Sequence, residues 1–555
     1  MKKITKSTIF LMMFLFIASF TFAQATYTNV YNIFQANCTS CHGAVAPAGG
    51  LNLAASASTV YSSIVNANPM NTAALAKGDK LIEPGTPHRS FLLRKCQNGL
   101  DPDNGIITGT EGLACPQAGA PLSNKDVELI RQWVLKGAPQ TGNVVDTNMI
   151  SRYYNGYSIN LDPAAHPLPT DPGSYQVHLG RILVDTSSEM EYFLKFDLKL
   201  PDTVEVNRIE LFLANGSHHF IIYKLLPGAS SMFADGMRIQ NPTTGAGSST
   251  GYNVLVSAYQ TSRNDTLPAG TAYQWETGTV LDLNHHLFNT NADSVLGTDV
   301  YYNVYTQPKH TASSIMYCDL ISNTSIYIPN DASDHTFTKA NYNSSAPNMW
   351  NIWMLSSHTH KYGVDFDIFL RNPGGSTGTQ IFEGWMDYVN NINQGYYDWE
   401  HPPVEYFNPM LTMNPRDGLI QKATFNNNGA NPVFFGLTTH DEMMLYFVQY
   451  TLGAPLTAGI STYDDHNAID LNAYPNPYSD NTQISYQLKN KSTISVIVYD
   501  VLGNKIQTMA DNEIQEIGTH NYDFNAKKQG HPAGIYLVAV TIDGKVYTKR
   551  IVETE

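Results

Sequence analysis

Between residues 151 and 455 the chain is a succession of short runs in which apolar and polar residues alternate, each closed by Gly, Asn, Pro or Asp. A period of two places one face of a strand in a core and the other in water. The runs at 208–214, 220–225, 325–329 and 443–450 are the clearest. The pattern predicts β-sandwiches of jelly-roll-like type rather than helices, and the length suits two of them. A boundary near Gln307-Pro308-Lys309 gives sandwiches over 151–307 and 308–455. Aromatic residues reach 11%, with 33 Tyr, while charged residues are only 15%, which fits an extracellular β-rich protein rather than an acidic disordered one. The formal charge of −15 argues against a nucleic-acid partner.

The first 23 residues read as a secretory signal. Lys2, Lys3 and Lys6 precede an apolar run over 9–20, and Thr21-Phe22-Ala23 presents small residues for cleavage before Gln24. The run is too short for a membrane span, and no later segment is apolar enough for one.

Cys38-Thr39-Ser40-Cys41-His42 has the C-x-x-C-H spacing of covalent haem attachment. Two thiols add to the porphyrin and His42 becomes an iron ligand. A zinc site would want a second Cys/His pair, and a thioredoxin-like motif a βαβ context; neither is evident. The motif therefore predicts haem c, one per chain, on Cys38, Cys41 and His42. It sits in a small all-α domain over 24–140. An amphipathic helix opens this domain. A capping box at Ser123-Asn124-Lys125-Asp126, the apolar face of Val127, Ile130 and Val134, and a stop at Gly137 close it. Cys96 and Cys115 share this unit and could pair in an oxidising compartment, leaving Cys318 as a buried free thiol.

The 17 histidines fall into clusters within the β region: His218-His219, His285-His286 and His358-Thr359-His360, followed by His440 before Asp441-Glu442-Met443. Residues i and i+2 of a strand share a face, so His358 and His360 can bind one metal. Adjacent histidines such as His218 and His219 can do so only at a strand end or a bulge. Imidazole suits copper or zinc, and a thioether such as Met443 adds preference for Cu(I).

The order of these motifs resembles the copper type II monooxygenases, the family of peptidylglycine α-hydroxylating and dopamine β-monooxygenases. The resemblance covers residues 175–455. It implies that His218, His219 and His286, with His285 as the alternative third ligand, hold an electron-storing copper. It likewise implies that His358, His360 and Met443 hold an oxygen-binding copper, two coppers in all. The arginine that anchors a substrate carboxylate in the peptide-hydroxylating member corresponds to Ser356, which argues against a peptide ending in glycine. Residues 32–139 resemble the short cytochrome c domains of bacterial secreted proteins, through "IFQANCTSCHG", "PGTPHRSFLLRK" and "PLSNKDVELIRQWVLKGAP". That family carries a Met-Pro, whose Met is the sixth iron ligand, where this chain has Cys115-Pro116. We expect a Cys96–Cys115 disulfide and leave Met70, His88, Cys115 or no residue at all as the distal ligand.

Residues 471–555 resemble the type IX secretion sorting domain, through "AYPNPYSDNTQISYQL" and "GIYLVAVTIDGKVYTKRIV", after a linker at 456–470. It is expected to be a small β-sandwich that addresses the chain to the outer membrane, for secretion or surface attachment. Together these readings predict a secreted monooxygenase that hydroxylates a C–H bond of an organic substrate with O2. Its electrons would come from an external donor through the haem. The alternative is a haem and copper relay or binding protein without oxygenase activity.

Overall fold

The computed structural model describes residues 26–96, 107, 109–117, 120–160, 169–214, 216–455, 471–500, 503–543 and 545–554. The signal segment and the linker at 456–470 lie outside the described residues. The chain divides into two compact units, residues 1–344 with 350–453, and residues 345–349 with 454–555. Among the described residues no helix is long and apolar enough to cross a membrane.

The first unit begins with helices Thr26–Asn37, Ala57–Ile64, Thr72–Ala76, Phe91–Cys96, Asn124–Leu135 and Thr147–Tyr154. The Ser123 hydroxyl accepts from the Asp126 N–H at 3.1 Å, which caps the fifth of these. Trp133 from that helix is fully buried and lies 5.5 Å from the Tyr27 ring, at the centre of a core with Phe34, Val60, Leu93 and Ile130. The sixth helix occupies positions where the alternating texture predicted strand from residue 151. Asp146 caps it, with Oδ1 2.8 Å from the Asn148 N–H, and burial of Ile150 and Tyr153 on one helical face overrides the local pattern.

Two sheets follow. A five-stranded sheet has the order Met237–Ile239, Ser188–Asp197, Val280–Asn289, Ser217–Leu225, Asn253–Tyr259. It shares a core of Tyr192, Phe196, Phe220 and Leu283 with Trp275 and Tyr302 of a ten-stranded sheet. Further along, a four-stranded sheet of Asp334–Asn341, Leu419–Asn426, Gly363–Arg371 and Thr377–Glu383 shares a second core. Phe366, Phe382, Phe425 and Tyr446 build it. The expected strand at 325–329 shrinks to Tyr327–Ile328, paired with Val433–Phe434.

The two sandwiches are not separate bodies on a linker. Thr271–Trp275 pairs in parallel with Ser314–Ser322, so the ten-stranded sheet runs unbroken through both. The buried Glu205 carboxylate accepts the N–H groups of His310, Thr311 and Ala312 at 2.7, 3.1 and 2.7 Å. The expected boundary at 307–309 is therefore a pinned corner.

The helical unit docks on the first sandwich. Arg89 donates to the Asp197 carbonyl at 2.6 Å and lies over the Phe196 ring, and Lys199 meets Glu83 at 3.0 Å. Gly85, Gly137 and Gly236 have φ of 81°, 90° and 89° and meet backbone to backbone, where a Cβ would collide. Leu135 enters the sandwich core while Leu183 and Val295 enter the helical one, so the two cores interlock.

The second unit is a sandwich of its own. A three-stranded sheet of Asn472–Tyr474, Thr482–Leu488 and Gly518–Phe524 faces a four-stranded sheet of Lys505–Gln515, Ser492–Asp500, Gly534–Ile542 and Lys545–Glu553. Strict alternation buries Ile484, Tyr486, Ile494, Val496, Val498, Val538 and Val540.

Candidate functional site

His218 and His219 reach one site through a β-bulge. His286 pairs directly with His219, while Leu287 pairs with Ser217, so His218 is the extra residue. An unpaired residue re-aims its neighbours, and both imidazoles project to the side where His286 lies. His285 points the other way. Tyr192 Oη lies 3.0 Å from its Nδ1 and Ser217 Oγ 2.9 Å from its Nε2, and the ring is fully buried. With both nitrogens engaged, His285 offers nothing to a metal, which leaves His286 as the third member of this group.

His358 ends the strand Asn348–His358, and His360 follows one buried residue later. The loop is held by Glu442. Its carboxylate accepts from the N–H of His360 at 2.9 Å, of Tyr362 at 2.7 Å and of Met443 at 3.2 Å. Burial pushes this carboxyl up to about 7. The Asp441 carbonyl lies 3.0 Å from His360 Nδ1. Gln260 Nε2 lies 2.7 Å from His358 Nδ1, and the same carboxamide turned over would accept the Nδ1 proton and leave Nε2 as the lone-pair nitrogen. Met443 is half-buried against the apolar cluster of Ile221, Leu445 and Phe447. Ile221 sits two residues beyond His219 on its strand. The His440 side chain is 85% exposed and stands outside it.

The structure thus brings His218, His219, His286, His358 and His360 together from both sandwiches. The potential ligand atoms of His218, His219 and His286 lie within 4.8 Å of one another, and so do those of His218, His358 and His360. The His218 ring centre is 5.1 Å from that of His286, 5.2 Å from His358 and 5.5 Å from His360. His218 Nε2, His286 Nδ1 and His360 Nε2 are buried with no hydrogen-bond partner. Orphaned buried nitrogens are costly, and several facing one another are the arrangement a metal relieves. Burial pushes the pKa values of His218 and His358 well below the usual value, lowers that of His219, and brings that of His360 to about 4. These rings are neutral at pH 7, the state that binds metal.

Outer partners orient the rings. Glu189 Oε1 lies 2.6 Å from His286 Nε2, which leaves Nδ1 for a metal. Thr439, from the second sandwich, donates its N–H and hydroxyl to the same carboxylate at 3.0 and 2.9 Å. Burial pushes Glu189 up, but the hydrogen bonds from His286 and Thr439 outweigh it and hold the carboxyl at about 2. His219 Nε2 faces Asn284 Oδ1 at 3.1 Å and Glu191 Oε1 at 3.5 Å. A cavity of ≈ 180 Å³ lined by His219, Gln260, Arg263, Ser356, Tyr406 and Phe447 opens beside the rings. Glu189 and Gln260 act through tertiary contacts that no local motif announces, whereas Glu442 lies within the Asp441-Glu442-Met443 motif.

Cys38, Cys41 and His42 line a cavity of ≈ 370 Å³ with Leu53, Phe91 and Leu92. His42 Nδ1 lies 3.2 Å from the Leu51 carbonyl, which fixes the tautomer and frees Nε2. The expected Cys96–Cys115 disulfide is absent. Both thiols are free and both line this cavity, although the Cys115 N–H bond to the Lys95 carbonyl at 2.7 Å brings the two segments together. Burial pushes the Cys96 thiol far up and the Cys38 thiol to about 11. Cys318 is buried and free. Met70 also lines the cavity and is 76% exposed. His88 is not a distal candidate, because its ring stacks on Phe196 of the first sandwich at 5.6 Å.

A third group, Asp365, Asp367 and Glu383, lies on adjacent strands and was not singled out in the sequence, where Asp365 and Asp367 read as an ordinary alternation. Burial, then Asp365 and Glu383, push the Asp367 carboxyl up to about 7 from 3.8. The native state therefore holds this proton more tightly than the unfolded chain. The resulting stability is fully present at low pH and is lost as pH rises through about 7. Asp367→Asn is expected to stabilise the chain by ~1–2 kcal/mol at pH 8 and by nothing near pH 4, read as a Tm difference. A constant Tm difference across that range would remove the charge argument.

Residues 472–554 match the family described as the secretion system C-terminal sorting domain. This domain addresses the chain for secretion, to the cell surface or the extracellular space, and suggests the type IX machinery as a partner. No curated protein matches the chain. Among solved structures, a Parabacteroides merdae β-glucuronidase with glycerol in its active site aligns at 10% identity and TM-score 0.14, over 41% of this chain and 29% of its own. A Ruminococcus gnavus β-glucuronidase aligns at 9% and 0.13, over 40% and 36%. An archaeal virus turret protein with a triple jelly roll aligns at 9% and 0.13, over 51% and 60%. Likenesses this slight carry no argument about fold or activity.

Proposed function

We propose that this chain is a secreted copper-dependent monooxygenase that hydroxylates a C–H bond, R–H + O2 + 2e⁻ + 2H⁺ giving R–OH + H2O. An external donor would supply its electrons through a covalently attached haem. The observation that carries the reading is the convergence of five imidazoles from two sandwiches, with buried nitrogens on His218, His286 and His360 that no protein group satisfies. An all-imidazole donor set suits copper or zinc, and the redox motif at the N-terminus favours copper. Copper bound here would supply one-electron redox chemistry and reactivity toward O2.

The chain's own residues prepare that chemistry. Glu189, Glu191 and Asn284 take Nε2 of His286 and His219 and leave Nδ1 to face inward. Asp441 takes Nδ1 of His360 and leaves Nε2. The cavity beside His219 gives an organic substrate room to approach, and Met354, Val404 and Phe447 make part of its wall apolar. The helical unit is fixed at the Asp197 end of the strand Ser188–Asp197, whose other end carries Glu189 and hence His286. Eight residue steps at about 3.3 Å put roughly 26 Å of strand between the two contacts. Electron delivery from the helical unit therefore draws on the length of the first sandwich.

Elemental analysis of the haem-matured protein, taken with its reduced haem spectrum, tests the reading. Two coppers and one haem per chain are expected. Haem without copper after reconstitution would leave a cytochrome on a β-scaffold and overturn it.

A further inference from the structure

We propose that the second sandwich carries a binding site for a neutral sugar, remote from the histidines and independent of the copper and haem readings. A cavity of ≈ 390 Å³ there is lined by Asp319, Asn341, Tyr342, Trp350, Met413 and Tyr446 among others. Its size falls in the range of small-molecule sites, about 300–1,000 Å³. Trp350 on its wall and His358 at the imidazole cluster stand at opposite ends of the strand Asn348–His358. Eight residue steps at about 3.3 Å separate them by roughly 26 Å, so a ligand bound here does not touch the imidazoles.

The wall offers both kinds of contact that a sugar ring uses. A pyranose presents C–H faces, which pack on aromatic rings, and hydroxyls, which both donate and accept. The Trp350 ring stacks on Tyr450 at 3.9 Å, and Tyr342 lies under the Arg371 guanidinium at 4.4 Å, so both rings are held in place by the protein itself. The Tyr450 hydroxyl donates to Asp319 Oδ2 at 2.9 Å, which ties the carboxylate to the same aromatic pair and leaves Oδ1 as an acceptor. The fully buried Gln421 donates to Asn341 Oδ1 at 3.0 Å and leaves Asn341 Nδ2 as a donor. Gly418, with φ of 84°, packs on the Asn341 carbonyl and on Tyr342 where a Cβ would collide, which fixes the turn that carries both residues. The fully buried Tyr446 hydroxyl, on a residue of the same wall, has no hydrogen-bond partner. Such a group is costly to leave unmade, and a ligand hydroxyl relieves it. Charge selects a neutral ligand. Asp319 is the one charged residue on the wall among the described residues, and it repels an anion. The Arg371 guanidinium beside Tyr342 repels a cation.

Titration calorimetry on the full chain tests this, with the methyl glycosides of glucose, galactose, mannose, xylose and N-acetylglucosamine as probes. At least one is expected to bind saturably, one per chain, with a dissociation constant in the millimolar range or below. Asp319→Ala is expected to weaken that binding by at least ~10-fold, and Tyr342→Ala by about 3–10-fold, with the copper content of both variants unchanged. The wild-type titration needs no variant, and Tyr342, 58% exposed, serves where Asp319→Ala fails to fold. Failure of every glycoside to bind the wild-type chain would overturn the proposal. Binding that Tyr342→Ala and a folded Asp319→Ala both leave unchanged would place the sugar elsewhere and overturn it too. Tighter binding of methyl glucuronide or of glucosamine than of the neutral glycosides would overturn the assignment of a neutral ligand. None of these readouts uses copper, so they stand or fall apart from the oxygenase reading.

Discussion

Glu442→Ala lowers the stability of the chain by roughly 3 kcal/mol and loosens the loop that carries His360. The wild-type carboxylate is fully buried and accepts three backbone N–H groups, from His360, Tyr362 and Met443. Alanine leaves all three without an acceptor, at ~1–3 kcal/mol each, and gains back part of that by removing a group that burial already strains. Glu442→Gln keeps one acceptor oxygen and is expected to cost about half as much. The effect on metal is separable from the effect on fold. His360 sits on the loosened loop, whereas His219 and His286 are held by a strand pair that Glu442 does not touch. Calorimetric unfolding together with copper titration checks this: Tm falls, and affinity falls at one copper more than at the other. A loss below ~1 kcal/mol with unchanged copper affinity would show that water replaces the carboxylate without cost.

Much of the histidine site was legible because its physics is local. Two adjacent histidines on a strand demand a bulge to serve one site, and the register breaks at that point. The period of two paired His358 with His360, although the strand ends at His358 and Glu442 holds His360 on the loop beyond it. The choice between His285 and His286 was not local. It depends on which face of Val280–Asn289 meets Tyr192 and Ser217, and only the packed sheet shows that. The same holds for Gln260 and Glu189, which are ordinary polar residues in sequence and become ring partners through contacts across 98 and 97 positions. The helix at Thr147–Tyr154 was hidden because the strand-rich texture reads as beginning at residue 151, although Met149, Ile150, Tyr153 and Tyr154 fall at helical spacing. The continuity of the large sheet was hidden because a parallel pair such as Thr271–Trp275 with Ser314–Ser322 has no turn between its members to announce it. The Cys96–Cys115 pairing was inferred from shared location alone. Both thiols instead stand in the wall of the cavity beside Cys38 and Cys41.

Adjacent substitutions at positions 285 and 286 are expected to fail in opposite ways, and this contrast is the sharpest check on the site. His285→Ala removes a fully buried ring that packs edge-on against Tyr192 and Phe220. It opens a cavity and leaves the Tyr192 hydroxyl, itself fully buried, without its partner. Cavity and orphaned hydroxyl together cost about 3–5 kcal/mol, seen as a large fall in Tm. Metal content should survive in whatever fraction stays folded, since neither His285 nitrogen faces the site. His286→Ala also removes a buried ring, but it relieves the crowding of imidazoles whose inward nitrogens lack partners. It frees Glu189, which keeps its two bonds from Thr439. Its stability cost is therefore smaller, ~1–2 kcal/mol, while affinity for the copper of that triad drops by at least ~100-fold. Thermal melts and copper titrations on the two proteins, side by side, read both axes. If His285→Ala lost the metal and His286→Ala kept it, the face assignment of the strand would be inverted, and with it the ligand set on which the copper reading stands.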